Sequence, residues 1–213
     1  MTPLTRRDLM AGAAAAMVAP AAASPDTGAD MSADMGSLAV ERSGGAGPAL
    51  LLVPGLAGGA WCFEETIRRL SPDLAIHALT LPGFDGRPAA GAPMIERVAA
   101  DIIRYIESAR LDRPILVGHS LGAFLALRAA LTRPGAIGGV VTIDGYPVFP
   151  LLAGAGPEAR AAEARRRAAP FHAAAGDPER FRALMRDFIA ARMTDPKEAE
   201  IFAARAARSD PRA

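Results

Sequence analysis

The chain has 213 residues, enough for one domain with a sizeable core. A formal net charge of +1 gives no electrostatic footprint for nucleic acid or another polyanion. Cys62 is the sole cysteine, which excludes an intrachain disulfide and a cysteine-built metal site, and His77, His119 and His172 are too few for a His-rich one.

The chain begins with a charged stretch, Thr5-Arg6-Arg7-Asp8-Leu9-Met10, followed by the apolar residues 11–19, Pro20 and the small residues 21–24. The apolar part is too short to span a bilayer, and the small residues resemble an A-x-A cleavage site. Residues 1–23 therefore read as an export signal, with no stable membrane insertion. The paired arginines resemble the twin-arginine type, with Leu9 where Phe is more frequent. An ordinary signal peptide or a disordered alanine-rich tail is the other reading. The expected partner is the twin-arginine export machinery, and the expected location is outside the bacterial cytoplasm, periplasmic or secreted. That route carries folded proteins, which suits a chain without disulfides. Residues 24–36 (SPDTGADMSADMG) are polar and read as a disordered linker.

From residue 37 short apolar runs recur between turn residues: 49–53 (ALLLV), 75–81 (AIHALTL), 115–117 and 140–143. Continuous apolar runs of this length predict strands buried on both faces. Between them lie helical patterns at 62–70, 93–110 and 121–133, the last apolar nearly all round and so expected to be buried. Strand and helix in alternation predict an α/β fold with a mostly parallel sheet and right-handed crossovers. After Gly145 the alternation stops. Residues 146–156 are an apolar, Pro/Gly-rich connection, and three helices are predicted at about 157–168, 178–193 and 196–207, each with a proline near its start.

Gly118-His119-Ser120-Leu121-Gly122 matches G-x-S-x-G between a buried strand and a buried helix. At such a joint the serine turns sharply, its hydroxyl points out at the C-terminal edge of the sheet, and the flanking glycines avoid clashes. Ser120 is the candidate nucleophile. The helix N-terminus beneath it points the Leu121 N–H at a developing oxyanion. The glycine-rich loop Pro54-Gly55-Leu56-Ala57-Gly58-Gly59-Ala60-Trp61 follows the first apolar run, and its Leu56 N–H is the second candidate donor. His119 and His77 read as packing, and Asp85 as a turn residue.

These residues carry a resemblance to the α/β-hydrolases, specifically to single-domain enzymes with a helical lid after the sixth strand. The resembling parts are LLVPGLAGGAW (51–61), LTLPGFDGRP (79–88), PILVGHSLGAFLAL (114–127) and GGVVTIDG (138–145). Pro54 stands where the family more often has His, a position used through its backbone. The resemblance implies a core over 37–146 and a lid over 147–213. It also implies the order Ser, then Asp or Glu, then His. The only histidine after Ser120 is His172, within the lid, which reads as a surface residue rather than the base. The sheet's last strands, the usual acid loop and the histidine loop have no counterpart, so the chain reads as a C-terminally truncated member of the family with its sixth strand unpaired on one side. Asp144, ending the sixth strand, is the candidate acid; the alternative is a plain turn aspartate in Asp-Gly.

The expected function is a serine hydrolase of ester or related acyl substrates, needing no cofactor or metal and weakly active or inactive as this chain. Trp61, Tyr146 and Phe149 are the candidate substrate-lining residues, with Val148, Leu151 and Leu152 completing an apolar wall that favours a small apolar ester. The alternatives are a non-catalytic remnant or binding protein, or cofactor-free haloperoxidase-type or lyase chemistry on the same scaffold. Dehalogenase chemistry is disfavoured, because it wants Asp at position 120.

Overall fold

The computed structural model describes residues 37–91, 93–145 and 154–212. The export signal and linker expected over 1–36, and Tyr146, Val148, Phe149, Leu151 and Leu152, lie outside the described residues. Five strands form one sheet: β1 (Ala39–Gly44), β2 (Ala49–Val53), β3 (Ala75–Thr80), β4 (Ile115–His119) and β5 (Gly139–Ile143), in the order β1-β3-β2-β4-β5. β1 is antiparallel to β3, and every other pairing is parallel. The C-terminal ends of β2, β4 and β5 therefore share one edge of the sheet.

β1 is absent from the sequence expectations. Its sequence AVERSG is polar in the middle, and what makes it a strand is non-local pairing along β3, from Ala39↔Thr80 to Gly44↔Ala75. Exposed Glu41 and Arg42 suit it to an edge, where charge discourages pairing with other chains.

Helix α1 (Glu64–Leu70) follows a short 3-10 turn, Ala60–Phe63, which Thr80 anchors by accepting the Ala60 N–H at 3.0 Å. This segment covers one face of β2 and β3, packing Ala60 and Phe63 on Leu50, Leu52, Ile76 and Ala78. The opposite face carries the main core. There α2 (Met94–Ser108) and α3 (Leu121–Thr132) bury Val98, Ile102, Tyr105, Leu125, Ala126 and Ala129 on Leu51, Val53, Leu79 and Leu116. α3 is small along the side it buries, so it lies close against the sheet.

β5 departs from the expectation of a strand buried on both faces. Val141 is 49% and Ile143 46% exposed, and Ile115 on the adjoining strand is 41% exposed. β5 pairs only with β4 among the described residues, and no described helix covers this end of the face on which Leu50 and Leu52 are buried.

The segment expected to form the lid folds as three helices, α4 (Pro157–Ala174), α5 (Pro178–Ala190) and α6 (Pro196–Ala206). α4 runs through Pro170 rather than stopping near 168. A proline there forfeits one backbone hydrogen bond without ending the helix. The true boundary is made by the next element's cap. The Asp177 carboxylate accepts the N–H groups of Glu179 and Arg180, both at 3.0 Å, and Asp195 does the same for Lys197 at 2.8 Å. Each aspartate precedes a proline at the first helical position.

His77 is buried on β3, as expected of a packing residue, but it carries a polar network. Its Nδ1 lies 2.5 Å from the Tyr105 hydroxyl, which accepts from Arg42 Nε at 3.3 Å. Burial, with the Arg42 charge second, pushes His77 down from 6.5 to about 4. The folded protein therefore binds fewer protons than the unfolded chain between those values. Its contribution is complete above pH 6.5 and is lost as pH falls toward 4. At 1.36 kcal/mol per pKa unit, the loss by pH 5 is about 2 kcal/mol. Urea midpoints at pH 7 and pH 5 should thus converge in His77→Gln relative to wild type. An identical pH dependence in both proteins refutes this account.

Candidate active site

Ser120 sits where β4 passes into α3, with φ 51° and ψ −113°. A non-glycine residue there is strained by about 1–3 kcal/mol, so the surroundings must hold it. Its N–H donates to Ile143 O at 2.9 Å, tying it to β5, and its carbonyl accepts from Ala123 N at 3.0 Å, starting α3. The two flanking glycines are required by close approach. A Cβ on Gly118 would lie 2.3 Å from Gly122 O, and a Cβ on Gly122 would lie 2.1 Å from Val53 O.

The loop after β2 meets this turn. Gly55 touches both residues of the joint: a Cβ there would stand 2.9 Å from His119 Nδ1 and 3.3 Å from Ser120 Cβ. Gly58 N donates to Gly55 O at 3.0 Å, closing a turn through Leu56 and Ala57, the latter at φ 57°. Neither the Leu56 N–H nor the Leu121 N–H has an acceptor among the described residues. Two unspent backbone donors therefore lie next to the joint residues, one following Gly55 in the loop that touches Ser120 and one following Ser120 itself.

Asp144 ends β5 at φ 46°, exposed, and makes no hydrogen bond or ion pair among the described residues. Because Ile143 O holds Ser120 N, Asp144 belongs to the same sheet edge as Ser120. His172 lies exposed in the last turn of α4, and its side chain has no hydrogen bond to another described residue. His119, which the sequence reads as packing, is exposed with its ring against Gly55. The face it occupies is the one left uncovered beneath β4 and β5.

Trp61, a candidate substrate-lining residue, is half-buried beneath α6. Its ring packs edge-on against Phe202 of α6 at 5.0 Å, with the Arg205 guanidinium 5.4 Å from its centroid. Its Nε1 is buried without a hydrogen-bond partner among the described residues. Beside it, burial pushes the Cys62 thiol up to about 11, so at neutral pH it is a protonated thiol and no rival nucleophile. A cleft of about 570 Å³ lies elsewhere, lined by residues including Glu107, Arg110, Arg113 and Arg133.

Residues 50–213 match the model of the alpha/beta hydrolase family. The chain belongs to that family. Among its relatives, a 1-acylglycerol-3-phosphate O-acyltransferase of Rattus norvegicus is 33% identical over 112 residues, spanning 49% of this chain and 32% of the relative. A pimeloyl-[acyl-carrier protein] methyl ester esterase of Citrobacter koseri is 31% identical over 96 residues, spanning 45% of this chain and 35% of the esterase. The crystal structure of an esterase from Rhodococcus sp. superposes with a TM-score of 0.66 at 22% identity, covering 82% of this chain and 66% of that one. The matched segments thus span about a third of these curated relatives.

The sequence gives no sign of what fastens the C-terminal helices to the core. Arg205 of α6 reaches Glu64 of α1 at 2.6 Å, and Arg208 reaches Asp85 at 3.3 Å. Asp85 is therefore a docking point as well as a turn residue. No local pattern announces either pair, because each joins segments more than a hundred residues apart.

Proposed function

We propose that this α/β-hydrolase is a serine hydrolase of small apolar ester or related acyl substrates, with Ser120 as nucleophile. The observation that carries this reading is the strained left-handed backbone of Ser120 between two glycines that admit no side chain. Strain of that kind persists where it holds a group for use. Ser120 Oγ would attack the acyl carbonyl, and the N–H groups of Leu56 and Leu121 would bind the oxyanion formed. Collapse would expel the alcohol, its oxygen taking up a proton in place of the one lost from Ser120 Oγ, and water would then release the acyl group as the acid while a proton returns to Ser120 Oγ. Asp144 is the proposed acid, on the strength of its place at the same sheet edge. An acyltransferase and a methyl ester esterase among the relatives agree with acyl chemistry.

A serine hydroxyl needs a base to take its proton, which in the Ser-His-Asp arrangement is an imidazole. His77 is buried against Tyr105, His119 lies against Gly55 and His172 is exposed on α4. None of the three is held against Ser120 by a hydrogen bond among the described residues, so weak turnover is expected of this chain. The same observation favours a second reading, a non-catalytic binding protein on the hydrolase fold. A fluorophosphonate probe separates the two. The hydrolase is covalently labelled at Ser120, and the binding protein is not labelled at all.

We place the site of action outside the cytoplasm, on the strength of Arg6-Arg7 and the short apolar stretch after them. Replacing both arginines by lysine should retain the protein in the cytoplasm of an expressing bacterium, as fractionation reads. Export unaffected by that change would refute the twin-arginine route.

A further inference from the structure

Ala57 lies in the turn that presents the Leu56 N–H, and it is anchored from the lid. Its side chain is buried in one cluster with Ala174 of α4, Phe181 and Met185 of α5 and Ala206 of α6. Its carbonyl accepts from the Ser209 hydroxyl at 3.4 Å. The same hydroxyl accepts the Asp85 N–H at 3.2 Å, and Ser209 is only 5% exposed. The neighbours of Ser209 complete the attachment. Gly86 N donates to Arg208 O at 3.0 Å, and Asp210 N donates to Gly83 O at 2.7 Å. One hydroxyl thus joins the loop after β2, the loop after β3 and the end of the lid.

The conformation held there is one that alanine resists. Ala57 occupies the third position of a turn closed by Gly58 N to Gly55 O, with φ 57°. That position favours glycine or asparagine, because a Cβ is crowded at positive φ. Freed of its anchors, the turn would relax to a conformation alanine prefers, and the peptides around Leu56 would move with it. The lid supplies both anchors: an apolar socket for the methyl group and a hydroxyl for the carbonyl.

We propose that Ser209 is a positioning residue for the oxyanion loop, so that a seated lid is what holds the Leu56–Ala57 turn in its working conformation. This rests on the reading of Leu56 as an oxyanion donor. It gives the lid a task besides walling the pocket: lid displacement would loosen the oxyanion hole along with the substrate entrance.

Amide hydrogen exchange on the full chain tests it. The Gly58 N–H reports the turn and makes no bond to Ser209. Its exchange should accelerate about tenfold in Ser209→Ala. Ser209→Thr, which keeps a hydroxyl, should restore it. The Leu52 and Leu116 amides in β2 and β4 should keep their wild-type rates. Unchanged Gly58 exchange in Ser209→Ala overturns the proposal. So does acceleration shared equally by β2 and β4, because Ser209 would then support the fold as a whole. Met185→Ala is a second variant should Ser209→Ala not fold. It empties part of the socket that holds the Ala57 methyl group, and the lock requires faster Gly58 exchange there as well, with the Leu52 and Leu116 amides unchanged. Ser120 labelling is read separately. A wild-type chain that does not label removes the hydrolase reading, and the exchange result on the link between lid and loop stands independently of it.

Discussion

Ser120→Gly is expected to give a protein more stable than wild type that has lost all labelling at position 120. At φ 51° and ψ −113°, Ser120 occupies backbone space that an L side chain enters at a cost of about 1–3 kcal/mol, whereas glycine enters it freely. Glycine also loses more conformational freedom on folding, by up to about 1 kcal/mol, so the net gain should be about 1 kcal/mol. In a chain of this size that raises the melting temperature by about 2–4 °C. Ser120→Ala is the necessary companion. It removes the hydroxyl but keeps the Cβ, so it should lose the labelling while staying near wild-type stability. The pair separates strain from chemistry. Equal melting temperatures for the two variants would show that the turn at Ser120 is relaxed, and the observation supporting the nucleophile would be lost. Labelling that survives Ser120→Ala would mean that the probe reacts elsewhere.

The difference between what the sequence discloses and what it hides follows from the range of the interactions. Ser120, Leu121 and Leu56 are legible because each role is set by a few neighbouring residues: an apolar run, a turn and a helix start. β2 is legible for the same reason, since residues 50–53 are buried and their composition records it. β5 has the same kind of composition, yet Val141 and Ile143 are about half exposed. Composition records what a strand is suited to touch, and no described element lies over this end of the sheet. β1 is the converse case. AVERSG has little strand character of its own and forms because β3 offers an edge and Leu38 and Val40 reach the core. Ser209 is illegible altogether. It is one hydroxyl in an alanine- and arginine-rich stretch, and its partners are 124 and 152 residues away. Trp61 stands out in the sequence as the end of the glycine-rich loop, but Phe202 and Arg205, distant in sequence, determine what its ring touches.

Gly122→Ala should be among the most damaging single-methyl additions this protein can receive. On an isolated helix the change would help by about 1 kcal/mol, because alanine is the better helix former. Here the added Cβ would stand 2.1 Å from Val53 O and 2.6 Å from both Val53 C and Pro54 O. All three atoms are backbone, so no rotamer change relieves the overlap, and β2 cannot yield without disturbing its pairing with β3 and β4. Helix α3 must instead lift from the sheet, opening gaps around Leu125, Ala126 and Ala129. Overpacking of a well-packed core costs about 1–3 kcal/mol even where side chains can adjust, so a net loss of about 3 kcal/mol or more is expected. The melting temperature should fall by about 6–12 °C. Labelling should fall further than stability alone explains, since the N-terminus of α3 carries both Ser120 and the Leu121 N–H. Gly135→Ala is the control. A Cβ there meets nothing within 4 Å, and the change should be nearly silent. Thermal melts followed by far-ultraviolet circular dichroism decide the matter. A Gly122→Ala protein melting within 2 °C of the Gly135→Ala control would mean that α3 does not lie this close to β2, and the geometry placing Leu121 beneath the serine would have to be abandoned.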